Sequence, residues 1–536
     1  MRRVIIIGAL AAVIALALVS PSRSIPFTGL NRGMAGKHTV AAAIYKQSGP
    51  HSNIECLVES GGPNTRLDCD DPFPNNEPDI EVNPADPRHM VVSSNDYGTC
   101  CDEFYTTFDG GRTWTTGNMS HEGNNRIGSD PVTAFDIKHD VVLHSSLNFT
   151  VTHKAGAESC DGDVVVSISR DGGVTWEPPE VVDDGEGCDL SKRQLFNDKE
   201  WIVVDNNPDS PHFGRAYVTW TKFDSRYGAY QSSAIWEAHS DDGGEHWSDP
   251  QEISGSDPAL CTYQESGPAG VCDEDQGSVP VVRSDGRVFV AFVNGQNEAL
   301  WESDLEFDGQ YLVVSSGDGG DTWGIPRFVV GLEDGTSDYP TNVDDRQTLT
   351  GYEVRVWGLG NIDIDPKSGT LYLAFSDNRS GTHDSPHPIS NTNAYLVSSG
   401  DSGRTWSAPR VVDPSPGDEW FPWVDVNPVD GTVGVLYHDR TSIGATTYRT
   451  RLAELSGGVW RRTTVSTAPS NPVTSVFFQA EADDCTACAT FHGDYIGLDY
   501  GSDGRANAVW TDMRDVTEKG DPLGAGHLQF IYYARR

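Results

Sequence analysis

Short runs of β-forming residues, broken by Gly, Pro, Asn and Asp, recur along nearly the whole chain. Asp79-Ile-Glu-Val-Asn83-Pro84 leads into Met90-Val-Val-Ser-Ser94, and Pro131-Val-Thr-Ala-Phe135 into Val141-Val-Leu143. Trp201-Ile-Val-Val-Asp205 precedes Ala216-Tyr-Val-Thr-Trp220, and Val279-Pro-Val-Val282 precedes Val288-Phe-Val-Ala-Phe292. Three more pairs follow: Asn361 to Asp365 with Leu371 to Phe375, Trp423 to Asn427 with Val433 to Tyr437, and Tyr495 to Asp499 with Ala506 to Trp510. Each run is too short for a helix and is bounded by turn residues, so each pair predicts an antiparallel hairpin.

A second pattern follows these hairpins. Ser/Thr-x-Asp-x-Gly-x-x-Trp occurs at Thr107–Trp114, Ser169–Trp176, Ser240–Trp247, Ser316–Trp323 and Ser399–Trp406, with a degenerate copy at Ser456–Trp460. The hydroxyl and the Asp carboxylate can accept hydrogen bonds from backbone N–H groups within a tight turn. The glycine supplies positive φ, and the tryptophan buries its ring between neighbouring sheets. Such regular repetition predicts an all-β propeller with these boxes on the outer hairpins. The count is seven blades, or six if one hairpin is an insertion. The last hairpin is followed only by His527–Tyr533, so closure needs a strand from the other terminus, with Thr39–Tyr45 as the candidate.

Strand order assigns faces. The inner-hairpin turns and the boxes share one face, and the inner-strand entrances and second-to-third-strand loops share the other, around the channel mouth. At the entrances lie Glu77, Asp130, Asp198-Lys199-Glu200, Glu419-Trp420 and His492-Gly493-Asp494-Tyr495; the loops carry Asp224-x-Arg226, Asp377-x-Arg379, Asp439-Arg440 and Asp512-x-Arg514. An insertion before the fifth hairpin adds Asp345-Arg346. Arginines so placed can clamp an anion, and paired carboxylates, or a carboxylate beside a tyrosine, can cleave a glycoside. Equally, each Asp-x-Arg can be an internal ion pair that stitches a loop to its neighbour.

The 536-residue chain carries a formal charge of −41. This excludes a phosphate-backbone partner and disfavours anionic membranes. Met1-Arg2-Arg3, an apolar run from Val4 to Val19 and Ser20–Ser24 form a secretory signal, which implies an extracellular protein. The expected organisation is a signal peptide over 1–24, an N-terminal segment over 25–76 and a propeller over 77–536. Ten cysteines suit that compartment. Cys56/Cys69, Cys160/Cys188 and Cys261/Cys272 have the spacing of loop staples, Cys100 and Cys101 are adjacent, and Cys485-x-x-Cys488 reads as a disulfide before a metal site. No cofactor and no catalytic metal is expected, although Asp161-Gly-Asp163 and Asp183-Asp184-Gly185-Glu186 offer a structural Ca²⁺ site without EF-hand spacing.

In its Asp boxes the chain resembles the sialidase superfamily of Asp-box propellers, known also for bacterial neuraminidase repeats. The likeness runs from about Glu77 to the C-terminus and includes Asp198–Ile202, Gly493–Gly497 and Trp510–Arg514. It implies a carbohydrate or glycoconjugate partner, three arginines on a substrate carboxylate, an Asp acid and a Tyr nucleophile helped by a Glu. Here those residues would be Arg379, Arg440 and Arg514, with Tyr495, Asp494 and Asp198 or Glu200, and Glu419 at the substrate rim. The family's Arg-Ile-Pro motif is replaced by Ser24-Ile25-Pro26, and its usual blade count is six. A hydrolase predicts an open mouth where the carboxyls converge. A noncatalytic recognition propeller predicts arginines tied in ion pairs and a plugged or flat mouth. A polysaccharide lyase would use Tyr495 with His492.

Overall fold

The computed structural model describes residues 53–69, 73–97, 101–119, 126–152, 158–189, 191–263, 268–296, 309–335, 338–342, 346–383, 385–475, 491–517 and 526–536. The expected signal segment, the expected Thr39–Tyr45 strand, Cys100 and the Cys485/Cys488 pair lie outside these residues. The chain is all-β. Among the described residues the one helical turn is the 3-10 turn Pro472–Thr474.

Valine-, isoleucine- and aromatic-rich runs form antiparallel sheets in chain order. The first contains Asn75–Val82, Met90–Asp96, Cys101–Thr107 and Thr113–Asn118, with Asn53–Glu59 added outside. The second starts at Arg126–Asp136 and the third at Arg193–Val204; one parallel bridge, Phe196 to Gly162, joins them. Sheets starting at Asp275–Val282, Asn361–Ile364, Glu419–Val426 and Gly497–Tyr500 follow, each four-stranded. The last sheet pairs Phe530–Arg535 with Thr65–Arg66, so a two-residue strand from the N-terminal segment completes it. Successive starting strands pack side by side in this order, and Gly497–Tyr500 also packs against Asn75–Val82.

The repeated boxes occupy the third-to-fourth-strand turns. In the first, the Gly111 N–H donates to Thr107 Oγ1 (3.1 Å), and the Arg112 and Thr113 N–H groups donate to Asp109 Oδ1 (2.9 and 3.0 Å). The Thr113-type bond recurs at Asp171, Asp242, Asp318 and Asp401, and the Arg112-type bond at Asp171 and Asp401. Gly111, at φ +82°, leaves no room for a Cβ against Tyr533. Trp114 is fully buried, as the pattern requires.

A second set of aspartates fastens neighbouring starting strands together. Asp79 accepts from the Thr133 N–H (3.0 Å), Asp363 from Val426 (2.7 Å), Asp425 from Tyr500 (2.5 Å) and Asp499 from Val82 (2.6 Å). Asn361 adds a reciprocal pair with Val424 (2.7 and 2.9 Å). Disulfides join Cys56–Cys69, Cys160–Cys188 and Cys261–Cys272, the three pairings expected from spacing.

Candidate functional site

Five starting strands break register in the same way. The shift spans Asn76/Asp79, Ser129/Val132, Asp198/Trp201, Gln276/Val279 and Trp420/Trp423. The residue after the first of each pair is left-handed: Glu77 (φ +55°), Asp130 (+59°), Lys199 (+53°), Gly277 (+65°) and Phe421 (+52°). A bulge inserts an extra residue and re-aims its side chain. Glycine meets the positive φ without cost, yet four of the five positions carry side chains, and strain of this kind gathers at functional sites.

Around the first three bulges ionisable groups converge. Asn95 Nδ2 donates to Glu77 Oε2 (2.7 Å), and Asn95 Oδ1 accepts from the Asp130 N–H (2.8 Å), so one amide spans two sheets. Burial, followed by the charges of Asp130 and Asp494, pushes Glu77 well above the usual carboxylate range. Burial also raises Asp130, against the pull of Lys199. Asp198 rises to about 8, first through burial and then through the Asp130 charge. Burial with the Asp130 charge holds Glu200 well above its ordinary value. Asp494 is gripped by both the Nε (3.2 Å) and Nη2 of Arg355, which arrives from the insertion before the fifth sheet.

Beneath these groups lies an aromatic floor drawn from three sheets. Trp201 packs on Trp423 (4.8 Å between centroids) and on Tyr495 (5.4 Å). Lys199 Nζ sits 3.7 Å from the Tyr495 ring centroid and 4.4 Å from that of Trp201. Lys199 Nζ, both Glu200 carboxyl oxygens and Tyr495 Oη are enclosed with no hydrogen-bond partner among the described residues. Burial, reinforced by Glu77 and Asp130, pushes the Tyr495 phenol well above its ordinary value. That keeps the phenol neutral and opposes its use as a nucleophile.

Asp198, Glu200, Asp494 and Tyr495 therefore share one electrostatic neighbourhood. The three arginines do not join it. Arg379 Nε pairs with Asp377 (2.8 and 2.9 Å) and its Nη2 donates to the Gly331 carbonyl (2.7 Å). Arg514 pairs with Asp512 (2.9 and 2.6 Å) and reaches Thr467 Oγ1 (2.9 Å). Arg440, with no exposure, is bound to Asp418 and donates to the Thr350 carbonyl (2.8 Å). Glu419 accepts from Ser415 Oγ (2.5 Å) in a different acidic group, with Asp413, Asp418 and Asp439; burial pushes it up to about 9. His492 is packed against Trp420 and Phe421, and burial lowers it to about 3.

Sequence reasoning placed Glu77, Asp130 and Lys199 at this mouth without assigning them roles, and it missed Arg355, which no repeat or Asp-x-Arg pattern marks. The Asp161, Asp163 and Asp184 carboxylates come within 4.8 Å of one another beside the Cys160–Cys188 bridge, whereas Asp183 is taken by Lys222 Nζ (2.6 Å). Glu333, Asp338 and His383 form another group of ligand-type side chains. Two surface clefts of about 450 and 420 Å³ are lined by other residues, near Trp406 and near Pro208.

The chain matches no protein-family profile and no curated protein sequence. Among solved structures, it is similar to a protein of unknown function from Dyadobacter fermentans DSM 18053, with TM-score 0.45, 13% identity, and 78% of this chain and 97% of that one covered. It is also similar to the NanB sialidase from Streptococcus pneumoniae, with TM-score 0.43, 8% identity and 91% and 98% covered. A PL25 ulvan lyase bound to -[GlcA(1-4)Rha3S]- gives TM-score 0.46, 10% identity and 86% and 96% covered.

Proposed function

We propose that this chain is a secreted, seven-bladed β-propeller that acts as a glycoside hydrolase on an acidic or terminal sugar at the cluster formed by Glu77, Asp130, Asp198, Lys199, Arg355 and Asp494. The cyclic packing of the starting strands supports the blade count. The N-terminal signal pattern and the three disulfides among the described residues support secretion. The observation that carries the activity is the unequal treatment of two neighbouring carboxyls. Asp198 is pushed up to about 8, while Asp494 is ion-paired with Arg355. Glycoside hydrolysis needs this division, one carboxyl protonated and one carboxylate.

In this mechanism the Asp198 carboxyl gives its proton to the glycosidic oxygen as the bond to the anomeric carbon breaks. The electron pair leaves with that oxygen. The Asp494 carboxylate, oriented by the Arg355 fork, faces the positive charge that develops on the sugar and takes a proton from the incoming water as the water oxygen bonds to the anomeric carbon. Tyr495 and Trp201 form an apolar floor that carries the Lys199 ammonium.

A second reading, a noncatalytic recognition propeller, is favoured by the ion-paired Arg379, Arg440 and Arg514 and by the aromatic floor across the mouth. A panel of fluorogenic glycosides that includes a sialoside separates the two. The hydrolase reading expects turnover of at least one substrate and a loss of about 10²–10⁴-fold in kcat for Asp198→Asn. Arg440→Ala and Tyr495→Phe serve as controls. Wild-type protein that turns over none of the panel ends the hydrolase reading and leaves recognition.

A further inference from the structure

We propose that Lys199 is the specificity-determining contact of this site, its ammonium taking the carboxylate of an acidic sugar. The proposal rests on reading the cluster as a glycan site, and it holds whether that site cleaves its ligand or only binds it.

An ammonium carries three donors and no acceptor, and removing it from water is costly unless those donors are used. Lys199 is 7% exposed, and its Nζ makes no hydrogen bond among the described residues. Its closest contacts are the faces of Tyr495 and Trp201, in the field of Asp130. Those faces offset part of the lost hydration and leave all three N–H vectors unused. The residue is also held at φ +53°, in a bulge whose counterpart in the fourth sheet is Gly277. A strained backbone and an unsatisfied buried charge coincide at one position, and a bound anion would relieve the second.

The groups around it are chemically suited to a carboxylate. Burial, with the charges of Asp130 and Asp494 acting on Glu77 and Asp198 and those of Asp130 and Asp102 on Glu200, pushes all three carboxyls up toward the neutral form that offers an O–H donor. Asp494 is offset by Arg355, which leaves Asp130 and Asp79 as the acids that act on Nζ. The arginines that the family resemblance assigns to a substrate carboxylate are each occupied by a carboxylate of this protein. Among the described residues of this cluster, Lys199 is a cation with donors to spare.

The test is equilibrium binding of the intact protein to D-glucuronate and to N-acetylneuraminate, with D-glucose as the uncharged comparison. Tryptophan emission is a direct readout because Trp201 lies under Nζ, and calorimetry gives the affinity. The expected result is that at least one acidic sugar binds tenfold or more tightly than glucose. Lys199→Met should abolish that margin, Lys199→Arg should keep part of it, and thermal melts should show both variants folded. Wild type with no preference for either acid, or Lys199→Met with wild-type affinity, overturns the proposal. Acid-selective binding without turnover in the glycoside panel supports Lys199 while ending the hydrolase reading. Turnover without acid selectivity does the reverse.

Discussion

Asp318 and Asp401 cap exposed turns at the outer edge of their sheets, where each accepts backbone N–H bonds. Asp425 and Asp499 accept backbone N–H bonds too, but from the next starting strand at the centre. The outer pair is drawn down to about 2, chiefly by the hydroxyls of Thr322 and Thr405. The inner pair is pushed up to about 7, first by burial, with Asp499 adding to the rise of Asp425 and Asp363 to that of Asp499. Hydrogen bonds to the backbone thus do not by themselves decide a carboxyl's charge. Water does, together with the number of like groups nearby.

The sharpest way to break this comparison is to remove an inner acceptor. Asp425→Ala leaves the Tyr500 N–H with no partner, at an expected loss of about 1–3 kcal/mol in unfolding free energy, measured by chemical denaturation. Asp425→Asn keeps an acceptor and removes a charge, and it should cost far less at pH 8 than the alanine variant.

The pH dependence comes next. For Asp79 (about 6), Asp425 and Asp499 the folded value lies above the unfolded one near 4. The native state then binds more protons than the unfolded chain, so the contribution of these three falls as pH rises from about 4 to 7 and is level above that. Asp318 and Asp401 have the opposite sign. Their contribution is present above pH 4 and is lost as pH falls toward 2. Melting temperature should therefore peak on the acidic side of neutrality, and Asp425→Asn should flatten the alkaline limb. A melting temperature that climbs from pH 5 to 8 would contradict the inner assignment.

The smallest effect is expected at the exposed turns. Asp318→Ala removes bonds that water can replace, so a loss of about 0.5–1 kcal/mol is expected. A larger loss there than for Asp425→Ala would reverse the comparison.

Much of the all-β organisation was legible because β-branched runs and turn residues alternate at short range. The boxes were legible for the same reason, since every partner of Asp109 lies within four residues of it. The ion pairs of Arg379 and Arg514 with acids two residues earlier were visible as Asp-x-Arg. The partner of Arg440 was not, because Asp418 is 22 residues away. Arg355 meets Asp494 across 139 residues from an insertion with no counterpart elsewhere. The inner aspartates were in plain view as Asn361-Ile-Asp363 and Trp423-Val-Asp425, but strand alternation offers no hint that their side chains cross to the next sheet. The Thr65–Arg66 strand is too short to leave any pattern.

The repeated bulge has a consequence for how such a mouth could be altered. One backbone device presents Glu, Asp, Lys, Gly and Phe at five equivalent stations without disturbing the pairing below. The chemistry displayed there is thus separable from the scaffold that displays it. A single codon change at one station would exchange an acid for a base or a ring, so ligand preference could drift quickly while the surrounding sheets stay as they are.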